Sequence, residues 1–260
     1  MNLQASDVPG AKVVSERSVK EQGYLSAHVR SFRYSAPSGS ARLISLDSET
    51  ELASNVSVAQ ADLTAANKAF RSKSGRNALI ASIAKQLKLK PSAVLIGKLR
   101  TVAGYDQSVE VPLSLPVKGI RIYESLVYLR LDRVAVFMLE VGLRPIGAAV
   151  TVGYASVVAG HIGTELAPIT VTPPTVTGTA QQGQTLTATS GTWTAPDATF
   201  GYQWQRCDAA GANCVDVPGA TTSTYAVTAT DVGTTLHVTV TATNRFGSAP
   251  ATSTQTAVVT

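Results

Sequence analysis

Leu236-His-Val-Thr-Val-Thr-Ala242 alternates without a break: Leu236, Val238, Val240 and Ala242 fall on one side, His237, Thr239 and Thr241 on the other. Successive side chains of an extended chain point to opposite faces, so the pattern describes a strand with one buried face. Phe200-Gly-Tyr-Gln-Trp-Gln-Arg206 repeats it, grouping Phe200, Tyr202 and Trp204 against Gln203 and Gln205. Gln184-Thr-Leu-Thr-Ala-Thr-Ser190 puts Leu186 with Ala188. Thr and Val suit the pleated backbone. About six or seven such segments, separated by Gly and Asp turn signals, predict an all-β sandwich over 175–260.

Upstream of these strands the composition breaks. Pro168-Ile-Thr-Val-Thr-Pro-Pro174 reads as a stiff extended linker, because proline fixes its own φ and biases the preceding residue to extended geometry. Residues 1–167 carry 20 Lys and Arg against 13 Asp and Glu, a net +7. Residues 168–260 carry only Arg206 and Arg245 against Asp197, Asp208, Asp216 and Asp231, a net −2. The whole chain has 260 residues, 44% of them hydrophobic and 15% charged, which suits two folded domains and excludes a disordered polyelectrolyte. Two cysteines exclude a disulfide-dense miniprotein and a Cys-only zinc site.

The pieces Gly183-Gln-Thr-Leu186, Gly191-Thr-Trp193, Tyr202-Gln-Trp-Gln-Arg-Cys207, Cys214, Gly219-Ala-Thr221, Thr224-Tyr225, Asp231-Val-Gly233 and Val240-Thr-Ala-Thr-Asn244 together resemble the bacterial Ig-like repeat of secreted and surface proteins, in its actinobacterial version. The resemblance covers residues 170–260. It implies a disulfide-stapled Ig-like sandwich, often in tandem arrays, that serves as a spacer or adhesive module. It departs from antibody-type domains in having no cysteine pair between the B and F strands, so Trp204 is expected to pack on aliphatic residues. Thr256-Ala-Val-Val-Thr260 ends where the linker pattern would recur, which suggests a truncated array with further repeats in a longer parent, or a short terminus after the last strand.

Cys207 and Cys214 stand in C-x₆-C spacing at the end of one strand and the start of the next. A hairpin disulfide fits, contributing roughly 2–3 kcal/mol in the chain-entropy account. Free thiols and a metal site are the alternatives, the latter short of soft ligands nearby. A disulfide points to an oxidising compartment. Met1-Asn-Leu-Gln-Ala-Ser-Asp7 lacks the basic and apolar regions of a signal peptide, which alone would mean cytoplasm. The cysteines favour a chain that starts behind a removed leader. The stretch from Pro145 to Thr164 has no charge but is diluted by Gly147, Gly153, Gly160 and Gly163. A helix packed on a sheet, rather than a membrane span, is expected.

Residues 1–167 mix periods. Strands are predicted from Gly23 to Arg33, Leu43 to Leu52, Val109 to Leu115, Ile120 to Leu131 and Val134 to Val141, with a tight connection at Leu131-Asp132-Arg133-Val134. Helices are predicted at 58–70, 76–89 and 147–165. Ser57-Val-Ala-Gln60 has capping-box spacing. In the second helix Leu79, Ile80, Ile83 and Leu87 share a face, Lys85, Lys88 and Lys90 suit its C-terminal end, and Pro91 stops it. Meandering strands with inserted helices give an α+β domain built on an antiparallel sheet with flanking helices. Leu3 to Pro9, Val29-Arg-Ser-Phe32 and Val127-Tyr-Leu-Arg-Leu-Asp-Arg133 resemble exported sensor-like and lipoprotein-like α+β envelope domains of actinobacteria. That resemblance brings no catalytic motif and implies a ligand- or lipid-binding role.

Between Asp62 and Asp106 lie Lys68, Arg71, Lys73, Arg76, Lys85, Lys88, Lys90, Lys98 and Arg100 without one acid. This is a candidate contact for an anionic envelope polymer, lipid or surface protein; a solvated helix face is the plain alternative. From Lys68 to Arg100 the one aromatic is Phe70, so the segment offers no stacking platform and nucleic acid is not favoured. Asp47, Glu49 and Glu51 alternate on one strand face opposite Ile44, Leu46 and Leu52 and lack a second oxygen cluster in sequence, so a solvated face is expected. His28, His161 and His237 sit in no catalytic motif, and no glycine-rich phosphate loop or nucleophile elbow occurs. The apolar strands from Ile120 to Val141 suit a core, or a pocket between sheet and helix for an acyl chain. The expectation is therefore an exported, non-catalytic surface or envelope protein for binding or adhesion, without metal or cofactor. A lipid- or small-molecule-binding sensor or carrier is the alternative.

Overall fold

The computed structural model describes residues 1–20 and 24–260. The chain divides into two compact units, Met1–Ile162 and Gly163–Thr260. The predicted strand beginning at Gly23 has its first residue outside the described residues.

The first unit is built on one antiparallel sheet. Its strands are β1 (Ala11–Val19), β2 (Tyr24–Ser38), β3 (Leu43–Ala53), β4 (Leu95–Ile96), β5 (Gln107–Val117), β6 (Ile120–Leu131) and β7 (Val134–Gly142), in the order β1-β2-β3-β7-β6-β5-β4. Two tight turns fix the register of its centre. Lys118 and Gly119 both have positive φ between β5 and β6, the backbone twist that a two-residue hairpin needs. Asp132 takes the left-handed conformation between β6 and β7, and its N–H donates to Asp106 (2.7 Å).

Both faces of the sheet are covered. Helices α1 (Val56–Arg71) and α2 (Lys73–Gln86) lie on the face that carries Val109, Val111, Leu113 and Tyr128. α1 buries Ala59, Leu63 and Phe70, spaced along one helical stripe. The other face carries Leu46, Val127, Val136 and Met138, and α3 (Ala148–Leu166) packs there with Ala155, Val158 and Ile162 buried. The N-terminal segment is fixed to β2 and β3: Leu3 and Val8 are fully buried, and the Asn2 side chain donates to the carbonyls of His28 (3.0 Å) and Ser48 (2.9 Å). Among the described residues no helix is long and apolar enough to cross a membrane.

Several local expectations need correction. The cap of α1 is Asn55, whose side chain accepts from Val58 N–H (3.1 Å), not Ser57. α2 starts at Lys73 behind the Ser72 cap and ends at Gln86. Lys88 then takes a left-handed conformation, so Lys88 and Lys90 lie beyond the helix and Leu87 is 47% exposed instead of sharing the buried face. β1 went unread because Lys12, Glu16 and Arg17 interrupt its pattern. It is an edge strand, exposed along nearly its whole length, and such charges discourage pairing with another chain.

The second unit consists of short strands: β8 (Thr170–Thr172), β9 (Val176–Thr177), β10 (Thr185–Ala188), β11 (Thr192–Trp193), β12 (Thr199–Cys207), β13 (Val215–Asp216), β14 (Thr224–Ala226), β15 (Thr235–Asn244) and β16 (Gly247–Thr252). They form sheets β14-β10-β9, β11-β8 and β13-β12-β15-β16. The extended backbone expected of the linker is present, and part of it is used as β8, paired with β11. One core joins the three-stranded and four-stranded sheets: Leu186 and Ala188, Trp204, Tyr225, and Leu236, Val238 and Val240. The alternation in β15 is therefore met at every apolar position. Trp204 is fully buried, but its ring stacks on Tyr225 (5.5 Å between centroids) as well as on aliphatic neighbours, and its indole N–H donates to Thr222 O (2.9 Å). Cys207 and Cys214 form a disulfide.

Asp231 anchors this core. It is completely buried, pairs with Arg206 (2.5 Å) and accepts from Tyr225 Oη (2.9 Å), Thr228 N–H (2.7 Å) and Thr228 Oγ1 (2.7 Å). Burial alone would raise its pKa, but the bonds from Thr228, Arg206 and Tyr225 outweigh it and hold the carboxyl below its ordinary value. Asp231→Ala leaves Arg206 and the Tyr225 hydroxyl without this acceptor. It should lower the denaturant stability of the second unit by about 3–5 kcal/mol, read from Trp fluorescence.

Candidate functional site

The basic segment comes to lie on the end of α1, on α2, and on the connection from α2 to β4. Lys68, Arg71, Lys73, Lys85, Lys88, Lys90 and Lys98 are exposed, and Leu87 and Leu95 stand exposed in the same stretch. Between α2 and β4 runs a groove of about 530 Å³, lined by Lys73, Arg76 and Lys98 together with Ile80, Leu95 and Ile96. Two members have structural duties. Arg76 donates to the carbonyls of Phe70 (3.0 Å) and Arg71 (2.8 Å), closing the C-terminus of α1. Arg100 reaches inward, forming a two-pronged ion pair with Glu110 and donating to Ile146 O (3.0 Å). It belongs to the interior rather than to the exposed band.

A second arrangement lies between α1 and the sheet. A cleft of about 370 Å³ is lined by Glu49 and Glu51 of β3, Asp62 and Leu63 of α1, Tyr24 of β2, and Tyr128 and Phe137 of β6 and β7, among others. The Tyr128 and Phe137 rings are 4.9 Å apart, tilted by 55°. Tyr24 Oη donates to Asp62. The alternation Asp47-x-Glu49-x-Glu51 does put the three acids on one strand face, as read. Asp47 is bound by Arg33 (3.0 Å). Glu49 and Glu51 instead line the same cleft as Asp62, a carboxylate supplied by another element, which sequence spacing could not show.

A third arrangement was not anticipated. Glu110 of β5 and Glu140 of β7 point to the α3 face and are 1% and 0% exposed. Ser125 of β6 donates to Glu110 Oε1 (2.6 Å). Thr151 of α3 stands 2.8 Å from Glu140 Oε2 and 3.2 Å from Glu110 Oε1. Glu140 Oε1 has no hydrogen-bond partner among the described residues. Burial, with the Glu110 carboxylate adding to it, pushes Glu140 up to about 8, against the opposing effects of Thr151 and Arg100. The cluster then holds one cation, Arg100, one anion, Glu110, and a neutral acid, Glu140. A signal was present in the sequence: Glu140 occupies an inward position after Val134, Val136 and Met138.

The histidines have separate surroundings. His28 Nδ1 is 3.2 Å from Ser18 Oγ. His161 Nδ1 is 3.0 Å from Asn2 O, with its Nε2 3.7 Å from Asp7. His237 Nε2 is 2.6 Å from Gln205 Oε1, and burial lowers its pKa. Together with Cys207 and Cys214 it forms the one His/Cys/Asp/Glu cluster among the described residues close enough to hold a metal ion. Both sulfurs are in the disulfide and are not thiolate ligands. No protein-family model matches this chain, and no curated protein matches it.

The Glu140 carboxyl links stability to pH with a definite sign. In the unfolded chain it takes up its proton near 4.5, in the folded chain near 8. Between these values the folded state holds the extra proton, so stability falls as pH rises, by about 1.4 kcal/mol per unit from this group. Glu140→Gln should flatten that part of the profile and raise the melting temperature at pH 8, as followed by circular dichroism.

Proposed function

We propose that this chain is a non-catalytic binding protein of the cell surface or envelope. The first unit meets an anionic envelope component through the exposed band Lys68, Arg71, Lys73, Lys85, Lys88, Lys90 and Lys98. The observation that carries this reading is the exposure of all seven cations along one continuous stretch that contains no acid, beside a groove with basic and apolar lining. Exposed Leu87 and Leu95 supply apolar contact, and the lysines supply the charge attraction. In this reading the second unit is an Ig-like spacer or interaction module. The burial of Leu186, Trp204, Leu236, Val238 and Val240 in one core between two sheets supports it. The Cys207–Cys214 disulfide is compatible with an extracellular location and fits export to an oxidising compartment.

The cleft beneath α1 favours a second reading, a small-molecule sensor or carrier displayed on the same module. Its three carboxylates speak against the fatty-acid form of that idea, since an acyl carboxylate would face like charges.

The basic band is tested by titrating the full chain with a phosphate-rich polyanion at several salt concentrations. Binding should weaken steeply as salt rises through the physiological range, because exposed charges are screened over about 8 Å there. Replacing Lys85, Lys88 and Lys90 by Glu should weaken it by about a hundredfold, at roughly 1 kcal/mol per cation. Lys12→Glu on the exposed edge strand should leave it unchanged. Equal loss from Lys12→Glu would mean that net charge, not the band, is responsible.

A further inference from the structure

The cleft beneath α1 has a charge opposite to that of its surroundings. Residues 1–167 carry a net +7, yet among the described residues the cleft lining contains Glu49, Glu51 and Asp62 and no Lys, Arg or His. Its apolar wall sets the rings of Tyr128 and Phe137 among Leu63, Ala66, Leu129, Ala135 and Val136. Tyr128 and Phe137 lie ring against ring, and Phe70 of α1 extends the cluster 5.3 Å from Tyr128. The volume of about 370 Å³ falls in the range of small-molecule sites.

These features select one ligand chemistry. The faces of aromatic rings carry negative quadrupole charge and attract a cation, most strongly where water is displaced. Carboxylates on β3 and α1 add to the same attraction, and the bond from Tyr24 Oη holds the Asp62 carboxylate in place. An anion meets repulsion from the carboxylates on β3 and α1, and a neutral ligand gains nothing from the charge. A hydrated metal ion would make no use of the aromatic wall. What uses both halves of the cleft is a positive charge carried on an apolar body.

We propose that this cleft binds a small organic ammonium ion, its apolar body against Tyr128 and Phe137 and its charge toward Glu49, Glu51 and Asp62. The inference deepens the small-molecule reading above and is independent of the basic band on α2.

The test is calorimetric titration of the full chain with three probes of similar shape: benzyltrimethylammonium, benzyl alcohol and benzoate. The cation should bind saturably, and the neutral and anionic probes at least about tenfold more weakly. Glu49→Gln/Glu51→Gln, which preserves side-chain volume, should weaken cation binding by about tenfold and leave benzyl alcohol unaffected. Asp62→Asn, at an exposed helix position, provides a second variant with the same expected direction should the double variant melt early. Benzyl alcohol or benzoate binding as tightly as the cation would overturn the ammonium assignment while leaving a small-molecule site. Cation binding unchanged in all the variants would place it elsewhere and overturn the proposal. No saturation by any probe up to about 10 mM would remove both the assignment and the small-molecule reading.

Discussion

Two glutamates almost without exposure to water sit on one face of a sheet with a single strand between them, and the first unit is organised around tolerating them. Unpaired ionised carboxylates in that position would cost several kcal/mol each. Arg100 neutralises Glu110 with two parallel N–H bonds, the strong geometry for this pair. Glu140 is relieved differently: it keeps its proton, so the cluster holds one charge of each sign. Ser125 lies on the strand between them, directly opposite Glu140 in the ladder, and is small enough to leave room for both side chains. The Thr151 hydroxyl has one proton to give and two carboxylate neighbours, so a proton on Glu140 also eases the shortage of donors.

That cluster ties α3 to the sheet. Thr151 belongs to the helix, and Arg100 also holds the Ile146 carbonyl just ahead of it. The α3 face is thereby closed by polar bonds at one end, with Ala155, Val158 and Ile162 packed further along. The opposite face is closed by apolar packing. Phe70 plugs α1 onto Tyr128, but beside it the smaller Leu63 and Ala66 leave the cleft that Glu49, Glu51 and Asp62 border. Each face keeps a cleft, about 380 Å³ beside α3 and about 370 Å³ beneath α1, and it is the second that three carboxylates border. The basic band begins at the C-terminal end of α1 with Lys68 and Arg71 and continues over α2 and its exit, so the two charge patterns of this unit share α1, with Asp62 further toward its N-terminus.

In the second unit the sequence was the better guide. Period-two alternation in β12 and β15 places Trp204, Leu236, Val238, Val240 and Ala242 inside, and the hairpin spacing of Cys207 and Cys214 matches the observed disulfide. Strand pairing there is antiparallel throughout, and even where it joins distant segments, as β12 to β15 and β10 to β14, each strand's own alternation sets which side chains face the core. What was missed is Tyr225 against Trp204, a pairing between the two sheets that no local pattern encodes.

For the first unit, alternation and helical spacing determined the strands from β2 to β7 other than the two-residue β4, the existence of α1, α2 and α3, and the face of the apolar strand residues, though not that of Leu87, which falls beyond the end of α2. These follow from the chain's own geometry, in which side chains repeat every two residues in a strand and about every 3.6 in a helix. Helix ends escaped because Asn55 and Ser72 compete with nearby residues of equal capping chemistry, and the backbone decides between them. The sites were decided by tertiary structure alone. Glu49 and Glu51 become one side of a cleft only because α1 brings Asp62 over them, and Arg100 leaves the basic band only because Glu110 lies buried opposite. Charge is felt through space, at a range of a few ångströms, and the neighbours that set it come from positions far apart in the chain.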